Sequence, residues 1–94
     1  MSSRTVLYVE DEENDVFFMR HAWKEAGLLN PLQVVTDGEQ ALAYLSGKGK
    51  YADRDEHPVP CLVLLDLKLP KVSGFEVLTW IRQQPAIHTL QVLV

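Results

Sequence analysis

The chain has 94 residues, a formal net charge of −4 and a hydrophobic content of 47%. This length predicts one domain, and the apolar content excludes a disordered tail. The negative charge argues against direct binding to nucleic acid, and no apolar run reaches the roughly 20 residues that cross a bilayer.

Strands and helices alternate in the first half of the chain. Residues 5–10 read as a strand and residues 32–36 as a second strand. Between them, residues 14–26 predict a helix whose inward stripe is Val16, Met19, Trp23 and Ala26, with Phe18 and Ala22 beside it. Asp37 and Gln40 predict a capping box, which opens a helix that stops near Gly47.

The second half continues the alternation after a long polar loop at residues 48–60. Residues 61–66 form the most continuously apolar strand, which predicts a parallel strand covered on both faces, with Cys61 as a small core residue. Ser73 and Glu76 predict another capping box. The helix that follows ends before Pro85 and is expected to turn Phe75, Leu78 and Ile81 inward. Residues 90–94 read as a fourth strand.

This alternation predicts a parallel sheet with helices on both faces and right-handed crossovers. The carboxyl ends of such strands share one edge, where doubly wound folds place their sites. Glu10 and Asp11 end the first strand and Asp66 ends the third. The strand order 2-1-3-4 would bring these three acids together. Because clustered carboxylates repel one another, a divalent cation is the expected companion.

Two motifs lie at these strand ends: Val9-Glu10-Asp11-Glu12 and Leu64-Leu65-Asp66-Leu67-Lys68-Leu69-Pro70. Gly74 follows eight residues after Asp66. Together they resemble the receiver domain of two-component response regulators, and the resemblance runs from Thr5 to Val94. It implies a flavodoxin-like, doubly wound α/β fold, in which Pro70 and Gly74 shape the backbone. The long loop at residues 48–60 resembles that of the phytochrome-linked members of the family.

The resemblance also implies a role for each acid. Asp66 corresponds to the phosphoacceptor, which takes a phosphoryl group from the phosphohistidine of a histidine kinase. Asp11 corresponds to a direct ligand of Mg²⁺, Glu10 to its partner acid, and the backbone carbonyl of Lys68 to a third protein oxygen on the metal. Such a domain is a phosphoryl acceptor that assists its own phosphotransfer and dephosphorylation, and is not otherwise an enzyme. It is expected to signal to a protein partner in the cytoplasm, with no direct contact to nucleic acid or membrane.

The chain departs from the family pattern at its C-terminal end. The family continues with a Ser or Thr hydroxyl, a fifth strand ending in Lys and a last helix, and none of Ser73, Thr79, Lys68 and Lys71 stands at a matching position. The expectation is therefore a receiver domain over residues 1–94 that is C-terminally incomplete. Its fourth strand would be an unpaired apolar edge, which predicts a homodimer, a strand swap or completion by another fragment.

Other interpretations of the same residues remain. The chain could be a receiver-like protein-interaction module that is not phosphorylated in this form, because the hydroxyl and the lysine are missing. Asp66 could simply cap a loop, and Glu10 and Asp11 could be solvated turn acids. A flavin-phosphate site is disfavoured because the acids at residues 10–13 would repel it. A haloacid-type phosphohydrolase is disfavoured because Lys68 occupies the place of its second acid.

Overall fold

Every predicted strand and helix is present in the computed structural model, which describes residues 4–69 and 72–94. The predicted turn residue Pro70 and its neighbour Lys71 lie outside this range. None of the helices in the described segments is long and apolar enough to span a bilayer. In chain order the elements are β1 (Val6–Val9), α1 (Glu13–Glu25), β2 (Leu32–Val35), α2 (Gly38–Ser46), a 3₁₀ turn (Gly49–Tyr51), β3 (Leu62–Leu65), α3 (Gly74–Gln83) and β4 (Gln91–Leu93).

The four strands form one parallel sheet in the order β2-β1-β3-β4, which confirms the predicted order. The register pairs Val9 of β1 with Val35 of β2 and with Leu65 of β3. The central strand therefore ends level with both of its neighbours. Any residue that directly follows one of these three strands emerges at the same edge of the sheet.

Local sequence signals account for the ends of α2 and α3. The Asp37 carboxylate accepts a hydrogen bond from the backbone N–H of Gln40 at 2.8 Å, and the Ser73 hydroxyl accepts one from Glu76 at 3.2 Å. These side chains satisfy amide donors that a first helical turn leaves free. Gly47 ends α2 with a φ of 68°, a left-handed conformation that costs glycine nothing. Both predicted helix starts are therefore confirmed by their capping contacts.

The fully buried core lies on one face of the sheet, between the strands and the pair α2 and α3. The strand residues that point to this face are almost inaccessible: Leu7, Val9, Val35, Val63 and Leu65. They pack against buried residues of the two helices: Ala41, Tyr44, Leu45, Val77 and Ile81. Along β3 buried residues alternate with half-buried ones. The predicted parallel strand is therefore confirmed, with complete cover on one face and partial cover on the other.

The opposite face of the sheet carries α1, and this helix has no fully buried residue. Of its predicted inward stripe, Val16, Met19 and Trp23 are half-buried. The remaining predicted positions, Ala26, Phe18 and Ala22, are exposed, so that part of the prediction is wrong. The physical reason is that no second helix lies beside α1 among the described residues, so the helix is covered along one narrow strip only.

Two further core predictions are wrong. Phe75 is 63% exposed, whereas Val77 is fully buried. Side chains advance about 100° per residue around a helix, so Phe75 lies about a third of a turn away from the buried line through Gly74, Val77 and Ile81. Cys61 is exposed because it precedes the first residue of β3, at the rim where the strand enters the sheet.

The polar loop at residues 48–60 folds back on the C-terminal end of α2. Arg54 donates hydrogen bonds to the carbonyls of Tyr44 at 2.7 Å, Leu45 at 2.9 Å and His57 at 3.1 Å. A cationic donor at the carbonyl end of a helix is favourable both for hydrogen bonding and for the helix dipole. Arg54 therefore holds the loop against the domain.

Candidate metal and phosphoacceptor site

The backbone brings the three predicted acids to one edge. The N–H of Glu10 donates to the carbonyl of Val35 at 3.1 Å, and the N–H of Asp66 donates to the carbonyl of Val9 at 3.3 Å. These bonds extend the strand ladders by one residue beyond β1 and β3. Glu10 and Asp66 therefore leave neighbouring strands at the same level, with Asp11 next along the chain.

Their side chains converge. One carboxylate oxygen from each of Glu10, Asp11 and Asp66 lies within 4.8 Å of the others. The three side chains differ in exposure: Glu10 is 8% exposed, Asp66 is half-buried and Asp11 is exposed. The structure thus places all three predicted carboxylates in one group, where a cation could contact each of them.

Glu10 is the most constrained of the three. Its Oε1 accepts a hydrogen bond from the Tyr8 hydroxyl, and its Oε2 accepts one from the backbone N–H of Glu12, both at 3.3 Å. Burial raises the pKa of the Glu10 carboxyl, and the neighbouring Asp66 raises it further, against the opposing effect of the Glu12 amide. An anion at this position is therefore held at an energetic cost, which a bound cation would remove.

Asp66 is held by its own loop. Its Oδ1 accepts the backbone N–H of Lys68 at 2.9 Å. The start of α3 lies so close that a Cβ added at Gly74 would come within 2.5 Å of the Asp66 carbonyl oxygen and 2.7 Å of the Leu67 Cα. Glycine at residue 74 is thus required by the close approach of the helix to the backbone that carries Asp66. Lys68 lies beside the acids, and the role of its carbonyl as a metal ligand stays a prediction.

An open pocket of about 570 Å³ extends from Glu10 and Asp66 across the α1 face of the sheet. Its walls combine the polar edge with apolar residues of α1, β3 and β4: Tyr8, Asp15, Met19, Leu64, Leu67, Lys68, Leu93 and Val94. Tyr8 is the residue in this wall that sequence reasoning missed. The available signal was its position two residues before Glu10, since alternate strand residues point to the same face.

The residues present fit a hard divalent cation. The cluster supplies carboxylate oxygens, the ligand type that Mg²⁺ prefers, and Cys and His are absent from it among the described residues. Three ionised carboxylates would carry a charge of −3, which a divalent cation largely neutralises. The group therefore has the donor chemistry and the charge of a Mg²⁺ or Mn²⁺ site.

Comparison with known sequences identifies the pattern. The profile of the response regulator receiver domain matches residues 6–94 of the chain. Receiver domains bind a divalent metal. The curated protein response regulator Rcp1 of Synechocystis sp. is 36% identical over 91 residues, which are 97% of this chain and 60% of Rcp1.

Solved structures agree with the sequence match. The bacteriophytochrome response regulator AtBRR is 38% identical, with a TM-score of 0.88 over 98% of this chain and 65% of AtBRR. The Mn²⁺-bound form of Rcp1 is 36% identical, with a TM-score of 0.83 over 94% of this chain and 61% of Rcp1. The phosphorylated cyanobacterial phytochrome response regulator RcpA is 34% identical, with a TM-score of 0.85 over 97% of this chain and 63% of RcpA. The chain therefore spans about three fifths of the length of these relatives.

Proposed function

This chain belongs to the family of response regulator receiver domains, and we propose that Asp66 accepts a phosphoryl group from the phosphohistidine of a histidine kinase. The convergence of Glu10, Asp11 and Asp66 within 4.8 Å is the observation that carries this proposal. The known phosphorylated form of RcpA, a similar protein, supports it.

The transfer follows from the placement of Asp66. A carboxylate oxygen of Asp66 attacks phosphorus, the bond between phosphorus and the kinase imidazole nitrogen breaks, and an acyl phosphate forms on Asp66. The Lys68 amide donates to Oδ1 at 2.9 Å and orients this carboxylate. Because the donor is already activated, the receiver contributes mainly position and charge.

We propose Mg²⁺ as the cofactor, held by Glu10, Asp11 and Asp66 together with the backbone carbonyl of Lys68. When bound, the cation offsets the repulsion between the attacking carboxylate and the oxygens of the phosphoryl group. The Mn²⁺-bound form of the similar protein Rcp1 supports a divalent metal here. The burial of Glu10 supports it as well, since a buried anion without a counter-charge is costly.

The partners are part of the proposal. Similar structures are named as bacteriophytochrome or phytochrome response regulators, so we propose a phytochrome-linked histidine kinase as the donor and a protein as the downstream target, both acting in the cytoplasm. The prediction that the domain is C-terminally incomplete stays a prediction.

A direct test uses a small phosphodonor. The chain is incubated with acetyl phosphate and Mg²⁺, and its intact mass is measured. We expect one phosphoryl group per chain, stable in acid and released in base, as an acyl phosphate is. Asp66→Asn should lose the adduct, whereas Asp55→Asn, a matched change on the exposed loop, should keep it.

Two results would contradict phosphoacceptance. One is an unmodified wild-type chain at saturating donor, which would favour the receiver-like interaction module. The other is an adduct that survives in Asp66→Asn, which would place the phosphoryl group elsewhere.

The edge strand β4 supports self-association as a second element of the proposal. Leu93 and Val94 are 59% and 72% exposed, and the described residues provide a partner for only one edge of β4, namely β3. An apolar, unpaired strand edge is a template for pairing with another chain. Light scattering should find a dimer at micromolar concentration, and a stable, folded monomer would refute this element.

A further inference from the structure

We propose that Tyr8 is a positioning residue of the metal pocket, whose hydroxyl fixes the orientation of the Glu10 carboxylate toward Asp11 and Asp66. The inference rests on the proposed function, because it concerns the same pocket. It goes beyond that function in assigning a role to a core residue that contributes no predicted metal ligand.

The position of Tyr8 in the sheet makes its hydroxyl a rigid donor. Tyr8 lies in the middle of the central strand, with Val34 as its partner on one side and Leu64 on the other. The residue is 9% exposed, so packing leaves its ring little freedom. Because Tyr8 and Glu10 are two residues apart along the strand direction, their side chains emerge on the same face.

The Tyr8 hydroxyl provides one of two hydrogen bonds that orient the Glu10 carboxylate. Tyr8 donates to Oε1 from within the sheet, and the Glu12 amide donates to Oε2 from the following turn, both at 3.3 Å. A carboxylate held through both oxygens cannot rotate freely, and each oxygen keeps a lone pair for a cation. Donors that orient a metal ligand in this way commonly change metal affinity when they are removed.

A purely structural role for Tyr8 explains the same contact. A buried hydroxyl needs a hydrogen-bond partner wherever it lies, and the Tyr8 hydroxyl finds one in Glu10. In that case the bond would satisfy Tyr8 without any consequence for the metal. The two explanations differ in what removal of the hydroxyl does to Mg²⁺ binding.

The test compares two tyrosine substitutions in the full chain. Tyr8→Phe keeps the ring and removes the hydroxyl, and Tyr51→Phe makes the same change at a buried tyrosine in the loop at residues 48–60. Calorimetric titration with Mg²⁺ should show affinity about 10-fold weaker for Tyr8→Phe, at the lower end of the range for such partners because the bond is long. Tyr51→Phe should bind Mg²⁺ like the wild type.

Carbon-13 NMR tests the hydrogen bond itself and its response to the metal. In the metal-free protein, Tyr8→Phe should shift the carboxyl resonance of Glu10. The Tyr8 Cζ resonance of the wild type should also shift when Mg²⁺ is added, and this measurement requires no variant to fold. Wild-type Mg²⁺ affinity in folded Tyr8→Phe, or an equal loss in Tyr51→Phe, would overturn the inference. A Tyr8 Cζ resonance that ignores Mg²⁺ at saturation would overturn it as well.

The inference and the proposed function fail in different ways. If the wild type binds Mg²⁺ and is phosphorylated while Tyr8→Phe binds Mg²⁺ equally well, the positioning role alone is refuted. If the wild type neither binds Mg²⁺ nor accepts phosphate, the proposed function itself is refuted.

Discussion

Replacement of Glu10 by Gln should stabilise the metal-free protein, although Glu10 is proposed to be a functional residue. The substitution removes one of three negative charges whose oxygens lie within 4.8 Å of one another. It keeps the shape of the side chain and one acceptor oxygen, so one of the two hydrogen bonds from Tyr8 and Glu12 is retained and the other is lost. The folded state therefore loses repulsion while it retains most of its packing.

The magnitude follows from the distance. Two unit charges 4.8 Å apart repel by about 3.5 kcal/mol at an effective dielectric constant of about 20, and by about 0.9 kcal/mol in water. Asp11 is exposed and Asp66 half-buried, so the water value weighs heavily. We expect Glu10→Gln to gain about 1–2 kcal/mol, which raises the melting temperature of a domain of this size by about 4–8 °C per kcal/mol.

The pH dependence has a definite sign. The pKa of Glu10 is raised above its ordinary value of 4.5 in the folded state, so the folded protein binds this proton more tightly than the unfolded chain. Stability due to this group is therefore lost as the pH rises from about 4.5 through the raised value. The advantage of Glu10→Gln should be present at pH 8 and vanish near pH 4.

The assay is thermal unfolding by circular dichroism in low salt, with EDTA or with Mg²⁺. Without metal at pH 8, Glu10→Gln should melt at a higher temperature than the wild type. The control Glu56→Gln, on the exposed loop, should melt at the same temperature as the wild type. With Mg²⁺ at about 100 times its dissociation constant the wild type should gain about 2.7 kcal/mol, and the variant less. A metal-free Glu10→Gln protein that melts at or below the wild type would refute the reasoning.

Four further substitutions probe the same structure. Asp11→Ala should weaken Mg²⁺ binding at least about 10-fold by calorimetry, and unchanged binding would remove Asp11 from the ligands. Gly74→Ala should cost about 1–3 kcal/mol in urea unfolding, because its Cβ would lie 2.5 Å from the Asp66 carbonyl oxygen, and an unchanged midpoint would contradict that approach. Arg54→Gln should cost about 2 kcal/mol, since it removes a charged donor from three carbonyls, and a loss below about 0.5 kcal/mol would show that the loop is held otherwise. Burial, aided by Glu10, raises the pKa of Tyr8 from 10.0 to about 12. The free energy of unfolding should therefore fall between pH 10 and 12, and it should fall less in Tyr8→Phe than in the wild type. The same pH dependence of stability in both proteins would contradict this.

The sequence alone was sufficient for the element order and for the identity of the acids. Local signals such as the Asp37 cap and the left-handed Gly47 depend on neighbours a few residues away, and the structure confirms them. The motifs around Glu10, Asp11 and Asp66 likewise lie within short runs at strand ends. The receiver resemblance supplied their roles, which a charge pattern alone would have left open between a site and solvated turns.

The faces of the helices were predicted less well, because they depend on what lies opposite. Phe75 and Val77 are both apolar and close in sequence, and the docking of α3 on the sheet decides which of them is buried. Phe18 lies beside the predicted apolar stripe, yet it stays exposed because the sheet covers only one narrow side of α1.

Tertiary structure alone decided how the site is built. Glu10 and Asp66 are far apart in the chain, and the parallel register that sets Val9 beside Leu65 makes them neighbours. The hydrogen bond from Tyr8 to Glu10 exists because the strand sets both side chains on one face and brings the Tyr8 hydroxyl to 3.3 Å from Oε1. Sequence patterns state which groups are available, whereas strand register and burial determine the distances between them, and electrostatic and hydrogen-bond energies depend on those distances.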